Sequence, residues 1–297
     1  MSAVARDAAA ATAGEGRLAI VCGGGSLPFA FADAAAKRGR RNVLFALRGW
    51  ADAAAVERYP HHWIALGQFG RFRRLLATEG CSDVVWLGTL VRPSIGMIRL
   101  DWTTMRLLPR IVRALRGGDD HLLSGIAAIF ADHGIRLVAA HEVAPELLVP
   151  AGTLGARRPS ETDQADIVRG TALLGAIGRF DVGQAVVVAH GHVLAVEGVE
   201  GTDLMLARVA ELRANGRLLA APGAGVLVKA PKPEQDRRFD LPAIGVATVQ
   251  AAAKAGLAGI AVTAGATLIA EPDKLVAAAD QAGLFVVGVP EPGRLTP

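Results

Sequence analysis

The residues best suited to chemistry gather in the C-terminal part of the chain. Glu197, Glu200 and Asp203 lie within AVEGVEGTD, three acids in seven residues around Gly198 and Gly201. Carboxylates on such a loop can hold Mg2+, a hard cation that takes oxygen ligands. Downstream, KAPKPEQDRRFDLP carries Lys229, Lys232 and Asp240. Two ammonium groups on a proline-stiffened loop can neutralise a diphosphate, while Asp240, set between Phe239 and Leu241-Pro242, can bind a metal or orient a water. A charged, solvated loop is the alternative for the same residues.

The N-terminal part offers a different kind of site. GGGSLP at 23–28 follows an apolar strand and opens a helix, so backbone N–H groups near Gly24, Gly25, Ser26 and Leu27 can face a phosphate where the helix dipole favours an anion. As a dinucleotide fingerprint it is weak, because Pro28 takes the third glycine position and the second strand ends in Arg48 rather than an acid. A plain tight turn and a phosphate site both remain open, and GxxxxGK[ST] is not matched. In GGDD at 117–120, Asp119 and Asp120 can bind a cation or cap the next helix. His141 and Glu142 end a strand-like run. His190 and His192 form an H-x-H at an expected hairpin turn without a third ligand at recognisable spacing, so turn histidines account for them better than zinc does. Cys22 and Cys81 adjoin apolar runs and read as small buried hydrophobes.

These residues need elements to hold them. Apolar strands at 18–22, 43–50, 63–69 and 83–90 alternate with helical segments, followed by a mainly helical stretch at 97–133 and a strand at 135–143. Continuous apolar strands separated by helices predict a parallel sheet covered on both faces. Prolines, glycines and polar residues accumulate at 145–163 and mark a boundary. Beyond it, QAVVVAHGHVLAVEG predicts an antiparallel strand pair, and helices alternate with strands to 289. The expected architecture is α/β with two domains. A tail at 1–16 precedes a Rossmann-like parallel domain at 17–146, and a linker at 147–163 leads to a mixed sheet with helices at 164–297.

Composition narrows the function classes. With 297 residues, 52% hydrophobic and 20% charged, the chain can bury large cores, which excludes global disorder. Aromatics are 5% with one tyrosine, too few for a base-stacking platform, so nucleic acid is not an expected partner. The formal charge of +4 is spread among interspersed acids and suits small anions or an anionic membrane surface. The longest apolar runs fall well short of the roughly 20 residues needed to span a bilayer.

Taken together and in order, the motifs resemble one family. GGGSLP, GQFG at 67–70, Arg92-Pro93, GDD at 118–120, AHEV at 140–143, EGTD at 200–203, KAPKP at 229–233, DLPAIG at 240–245 and AGLAGI at 255–260 are similar to those of the LpxI-type UDP-2,3-diacylglucosamine pyrophosphatases of bacterial lipid A biosynthesis. The likeness implies a Mg2+-dependent hydrolase that splits the diphosphate of UDP-2,3-diacylglucosamine into UMP and lipid X. It implies two domains with the lipid product held between them, and water attacking the β-phosphorus. Asp240 matches the acid of the family's DLP motif and is the foremost catalytic candidate, with Lys229 and Lys232 beside it. Gly24, Gly25, Ser26, Leu27, Arg92, Asp119, Asp120, His141, Glu142 and Thr202 are the expected substrate contacts, and Asp240, Glu197 and Asp203 the expected Mg2+ ligands.

Hydrolysis of an anhydride asks for cations to spread charge and a carboxylate to place water, with little covalent machinery. Neither a Nudix box nor a calcineurin-like ligand set is present. A substrate with two acyl chains implies a cytoplasmic protein in peripheral contact with the inner membrane. The apolar run MIRLDWTTMRLLPRIVRALRG at 97–117, with its arginines, can supply that contact, or it can be a core helix. A homo-oligomer is compatible with the sequence. A binding protein that carries an acylated sugar phosphate without cleaving it is the alternative function, and an NAD(P)-dependent enzyme is a third.

Overall fold

A computed structural model describes residues 16–90, 98–115, 119–218, 220–232, 237–238 and 241–291, with backbone only at 115 and 119–122. The tail expected at 1–16 lies outside the described residues apart from Gly16. Two compact units divide between Glu146 and Leu147, and Arg237 and Arg238 group with the first.

The first unit runs β1 (Arg17–Cys22), α1 (Leu27–Lys37), β2 (Asn42–Leu47), α2 (Ala53–Val56), β3 (His61–Ile64), α3 (Phe69–Glu79), β4 (Cys81–Leu87), α4 (Trp102–Leu115), α5 (Asp119–Asp132), β5 (Arg136–Leu137) and α6 (Ala140–Val143). Its five strands are ordered β3-β2-β1-β4-β5, and every pair is parallel. Strands such as LAIVC and VLFAL are buried on both faces, as helix-covered parallel sheets require. Phe45, Phe72 and Phe130 anchor the core of one face. The strand expected at 135–143 is shorter than its apolar content suggested. β5 pairs only with β4, through two residues, and the Ala139-Ala140 pair then turns into α6, so His141 and Glu142 stand on a helical turn. An edge position and helix-favouring alanines account for the early end.

The second unit runs β6 (Gly152–Thr153), α7 (Glu161–Ile177), β7 (Ala185–Ala189), β8 (His192–Val196), α8 (Gly201–Ala214), β9 (Val226–Lys229), β10 (Ala243–Ile244), α9 (Val246–Lys254), β11 (Gly259–Thr263), β12 (Leu268–Ile269), α10 (Pro272–Gln281) and β13 (Phe285–Val289). Its mixed sheet is ordered β6-β13-β11-β9-β7-β8, with a separate β10-β12 pair. Residue alternation divides the two faces. Val187, Leu227, Ile260 and Val286 point to α8, α9 and α10, while Val186, Val188, Val226 and Val228 point to α7. Residues of the expected linker belong to this unit: β6 pairs antiparallel with β13, and Ser160 forms a capping box with Asp163 at the start of α7.

One ionic knot crosses the first unit's sheet. Asp83 on β4 is 3% exposed and lies in register with Arg136, which donates to it through Nε at 2.8 Å and Nη2 at 2.7 Å; Arg40 pairs with the same carboxylate. Removing the acid would take a charged partner from both guanidinium groups and leave its buried place on β4 empty. Asp83→Ala is expected to lower the unfolding free energy in urea by about 2–3 kcal/mol, more than Arg136→Ala, whose side chain is half exposed. Equal stability of Asp83→Ala and the unmodified protein would contradict this.

Candidate active site

The densest polar geometry lies at the carboxyl end of β9. This strand reads VLVK, three apolar residues followed by Lys229, whose side chain is only 9% exposed. An ammonium so buried needs acceptors. Its Nζ donates to Thr202 Oγ1 at 3.1 Å and to the Ala243 carbonyl at 3.2 Å. Thr202, the second residue of α8, passes its own proton to Glu197 Oε1 at 2.7 Å, and the other oxygen of Glu197 accepts the Gln184 N–H at 2.7 Å. The result is a directional chain from lysine through hydroxyl to carboxylate. Lys232, three residues on and equally buried, pairs with the Asp181 carboxylate.

The other acids of the AVEGVEGTD loop are occupied differently. Glu200 accepts from Arg208 at 2.7 Å; its own backbone N–H, then Arg208, hold its carboxyl below the usual carboxylate range. Asp203 is exposed in the first turn of α8, where the helix dipole favours a negative charge. Asp240 lies outside the described residues. Among the described residues, no group of three His, Cys, Asp or Glu side chains could hold a metal ion. Of the expected Mg2+ ligands, Glu197 accepts from the Thr202 hydroxyl and the Gln184 N–H, and Asp203 faces solvent.

In the first unit, the loops after β1 and β4 meet. Gly24 N donates to Thr89 O at 2.9 Å, and Thr89 N returns a bond of 2.9 Å to Gly24 O. Gly88 makes this approach feasible: at φ +94°, a Cβ there would stand 2.6 Å from Gly24 O. β1 and β4 flank the point where strand order reverses, which is where open parallel sheets present ligand sites. Gly25 and Ser26 are exposed there at the start of α1, with Gly24 and Leu27 half-buried. His141 is half-buried, and its Nδ1 has no hydrogen-bond partner among the described residues; Glu142 is exposed. Asp119 and Asp120 open α5, and Arg92 lies outside the described residues.

The family model of the LpxI N-terminal domain matches residues 17–147, and that of the LpxI C-terminal domain matches 150–287. This chain belongs to the LpxI family. A Caulobacter vibrioides protein named UDP-2,3-diacylglucosamine pyrophosphatase LpxI is 43% identical over 273 residues, covering 92% of this chain and 97% of that protein.

Several motifs of this LpxI chain turn out to be structural. GQFG joins α3 to α4: a Cβ on Gly70 would meet Thr103 Oγ1 at 2.5 Å, Asp101 caps α4 by accepting Thr104 N at 2.9 Å, and the same carboxylate accepts Arg71 N at 2.9 Å. The H-x-H turn is held by Asp166, which accepts His190 N at 2.9 Å and Gly191 N at 2.6 Å, while His192 is exposed on β8. Burial pushes the Cys22 thiol up to about 12 and Cys81 up to about 11, so neither is a ready nucleophile at neutral pH.

Asp181 and Gln184 were not singled out by sequence. Their signal is the strand register: antiparallel β7 and β9 pair Ala185 with Lys229, so residues just before 185 must face residues just after 229. For the lysine chain, Thr202→Val is expected to lower the unfolding free energy by about 1–3 kcal/mol, since it removes an acceptor from a buried ammonium, while Thr202→Ser keeps most of the stability. Equal losses in the two variants, read by urea denaturation, would contradict the role of the hydroxyl.

Proposed function

We propose that this LpxI chain hydrolyses the diphosphate of UDP-2,3-diacylglucosamine, giving UMP and 2,3-diacylglucosamine 1-phosphate for lipid A biosynthesis. The observation that carries this reading is the near full-length similarity to the Caulobacter vibrioides enzyme. The site geometry supports it physically. Two ammonium groups lie at the carboxyl end of one strand and can take up charge that gathers on diphosphate oxygens, and preorganised cations of this kind lower the barrier for phosphoryl transfer.

In the proposed reaction a water oxygen bonds to the β-phosphorus, and the bond from that phosphorus to the bridging oxygen breaks. UMP departs with the bridging oxygen, and the water proton is released to the phosphate products or solvent. Asp240 orients the water. Lys229 and Lys232 stabilise the transferring group, with Thr202 and Glu197 positioning Lys229 and Asp181 positioning Lys232. Gly24, Gly25, Ser26, Leu27, Arg92, Asp119, Asp120, His141 and Glu142 are the proposed further substrate contacts. Mg2+ belongs to the proposal as a companion of the diphosphate, whose charge it would spread when bound. The enzyme would work at the cytoplasmic face of the inner membrane, in peripheral contact with it; among the described residues no helix is long and apolar enough to cross a membrane.

Purified protein with UDP-2,3-diacylglucosamine and Mg2+ is expected to release UMP, and excess EDTA to stop the release. Asp240→Ala is expected to lower kcat by on the order of a thousandfold while binding the substrate within a few-fold of the unmodified protein, because a water-orienting group acts mainly in the transition state. Intact substrate recovered from a tight complex with the unmodified protein would instead identify a carrier, and an undiminished rate in Asp240→Ala would remove Asp240 from the mechanism.

A further inference from the structure

α4 is unusual among the helices in what it leaves exposed. Its sequence, WTTMRLLPRIVRAL, contains no acid. Thr104 is buried, and Leu107 and Ile111 on the same side are half-buried. At 100° per residue, Trp102, Met105, Leu108, Pro109 and Val112 fall in a neighbouring sector of roughly 120°, and Arg106, Arg110 and Arg113 in the roughly 60° beyond it. The apolar sector is open to solvent: Trp102 is 66% exposed, Met105 50%, Val112 43% and Leu108 37%. Ile98 and Leu100, just before the helix, are exposed at 39% and 47% and extend the patch. The helix thus has a buried side, an exposed apolar side and an exposed basic side.

The surroundings strengthen the positive charge. α3 packs beside α4 and exposes Arg71, Arg73 and Arg74. The acid at the start of α4, Asp101, is consumed by the Thr104 and Arg71 N–H groups and the Thr104 hydroxyl. Asp132 faces Arg110 at 2.7 Å. Trp102 lies at the junction of the two exposed sectors, with the Arg106 guanidinium 5.3 Å from its ring centroid. Aromatic rings with a cation alongside suit the boundary between acyl chains and headgroups.

We infer that the exposed face of α4 docks this protein onto an anionic lipid bilayer, with Trp102, Met105, Leu108 and Val112 in the interface and Arg106 and Arg113 against phosphate headgroups. Charge complementarity selects this occupant. A second copy of the chain would bring the same arginine sector against itself in a two-fold contact, whereas an anionic surface satisfies both sectors at once. The helix would lie in the plane of the surface, about 21 Å long. The inference deepens the proposed function and rests on its lipid substrate for its purpose, but docking can be measured without any reaction.

The test is flotation of the full chain with phosphatidylcholine vesicles, with and without phosphatidylglycerol, alongside UMP release from substrate in detergent micelles. The protein is expected to float with the phosphatidylglycerol vesicles, with a blue shift of tryptophan emission, and to release them at about 0.5 M salt. Trp102→Ser with Met105→Ser, and separately Arg106→Ser with Arg113→Ser, are each expected to weaken vesicle binding about tenfold or more while micellar turnover stays within about twofold. Failure of the unmodified protein to float, or unchanged binding in both variants, would overturn the inference. So would a raised KM for micellar substrate with vesicle binding intact, which would make the face an acyl-chain site, or a dimer in the absence of vesicles that the variants abolish. Vesicle binding without UMP release would leave docking standing and remove the proposed reaction.

Discussion

An ammonium group buried at the end of a strand must be met by acceptors, and the polar edge of the second unit's sheet is organised by that requirement. Lys229 ends a strand whose preceding residues are all buried and is itself only 9% exposed, so burial costs its Nζ most of its hydration unless acceptors replace it. The start of α8 supplies Thr202, the end of the β7–β8 hairpin supplies Glu197, and β10 supplies a carbonyl. Lys232 repeats the arrangement with Asp181, in the left-handed turn that leads into β7. Two cations held at fixed positions need little rearrangement when a negatively charged group arrives, which is the condition for electrostatic catalysis. The acids that help to hold them are Glu197, acting through Thr202, and Asp181, which pairs with Lys232 directly.

The first unit solves a different problem, that of bringing two loops close at the point where strand order reverses. Here the backbone does the positioning. Mutual bonds between Gly24 and Thr89 bind the loop after β1 to the loop after β4, and the absent side chain of Gly88 permits it. On the same unit, Asp101 and the missing Cβ of Gly70 clamp the start of α4 against α3. Fixing that end of α4 orients its buried side and so turns the apolar and basic sectors outward, which connects a capping interaction to the face inferred above to dock on lipid.

The parallel sheet of the first unit was legible in the sequence because continuous apolar strands such as LAIVC and VLFAL have few other uses. The β7–β8 hairpin was legible as well, since AVVVA and HVLAV flank a His-Gly turn whose two residues both take left-handed conformations, as tight hairpins prefer. The premature end of β5 was not, because it depends on an edge position as well as on the helix-favouring alanines that follow, and position in a sheet cannot be read from an apolar run. At the site, Lys229 and Lys232 stood out as charged residues on a proline-stiffened loop and Thr202 came only through the family resemblance, whereas Asp181 did not stand out, since its pairing follows from an antiparallel register that local pattern cannot set. The AVEGVEGTD acids looked like one cluster by spacing alone. In three dimensions Glu197 turns inward to Thr202, Glu200 turns to Arg208, and Asp203 faces solvent, because a helix starts in the middle of the run.

In the proposed reaction, water attacks the β-phosphorus of an acylated nucleotide sugar directly, assisted by fixed cations and without a covalent enzyme intermediate. Hydrolysis of UDP-2,3-diacylglucosamine in 18O-labelled water, followed by mass spectrometry of both products, tests this most directly. The label is expected in the phosphate of 2,3-diacylglucosamine 1-phosphate, with UMP unlabelled. Label in UMP, or unlabelled products from a single turnover, would contradict it.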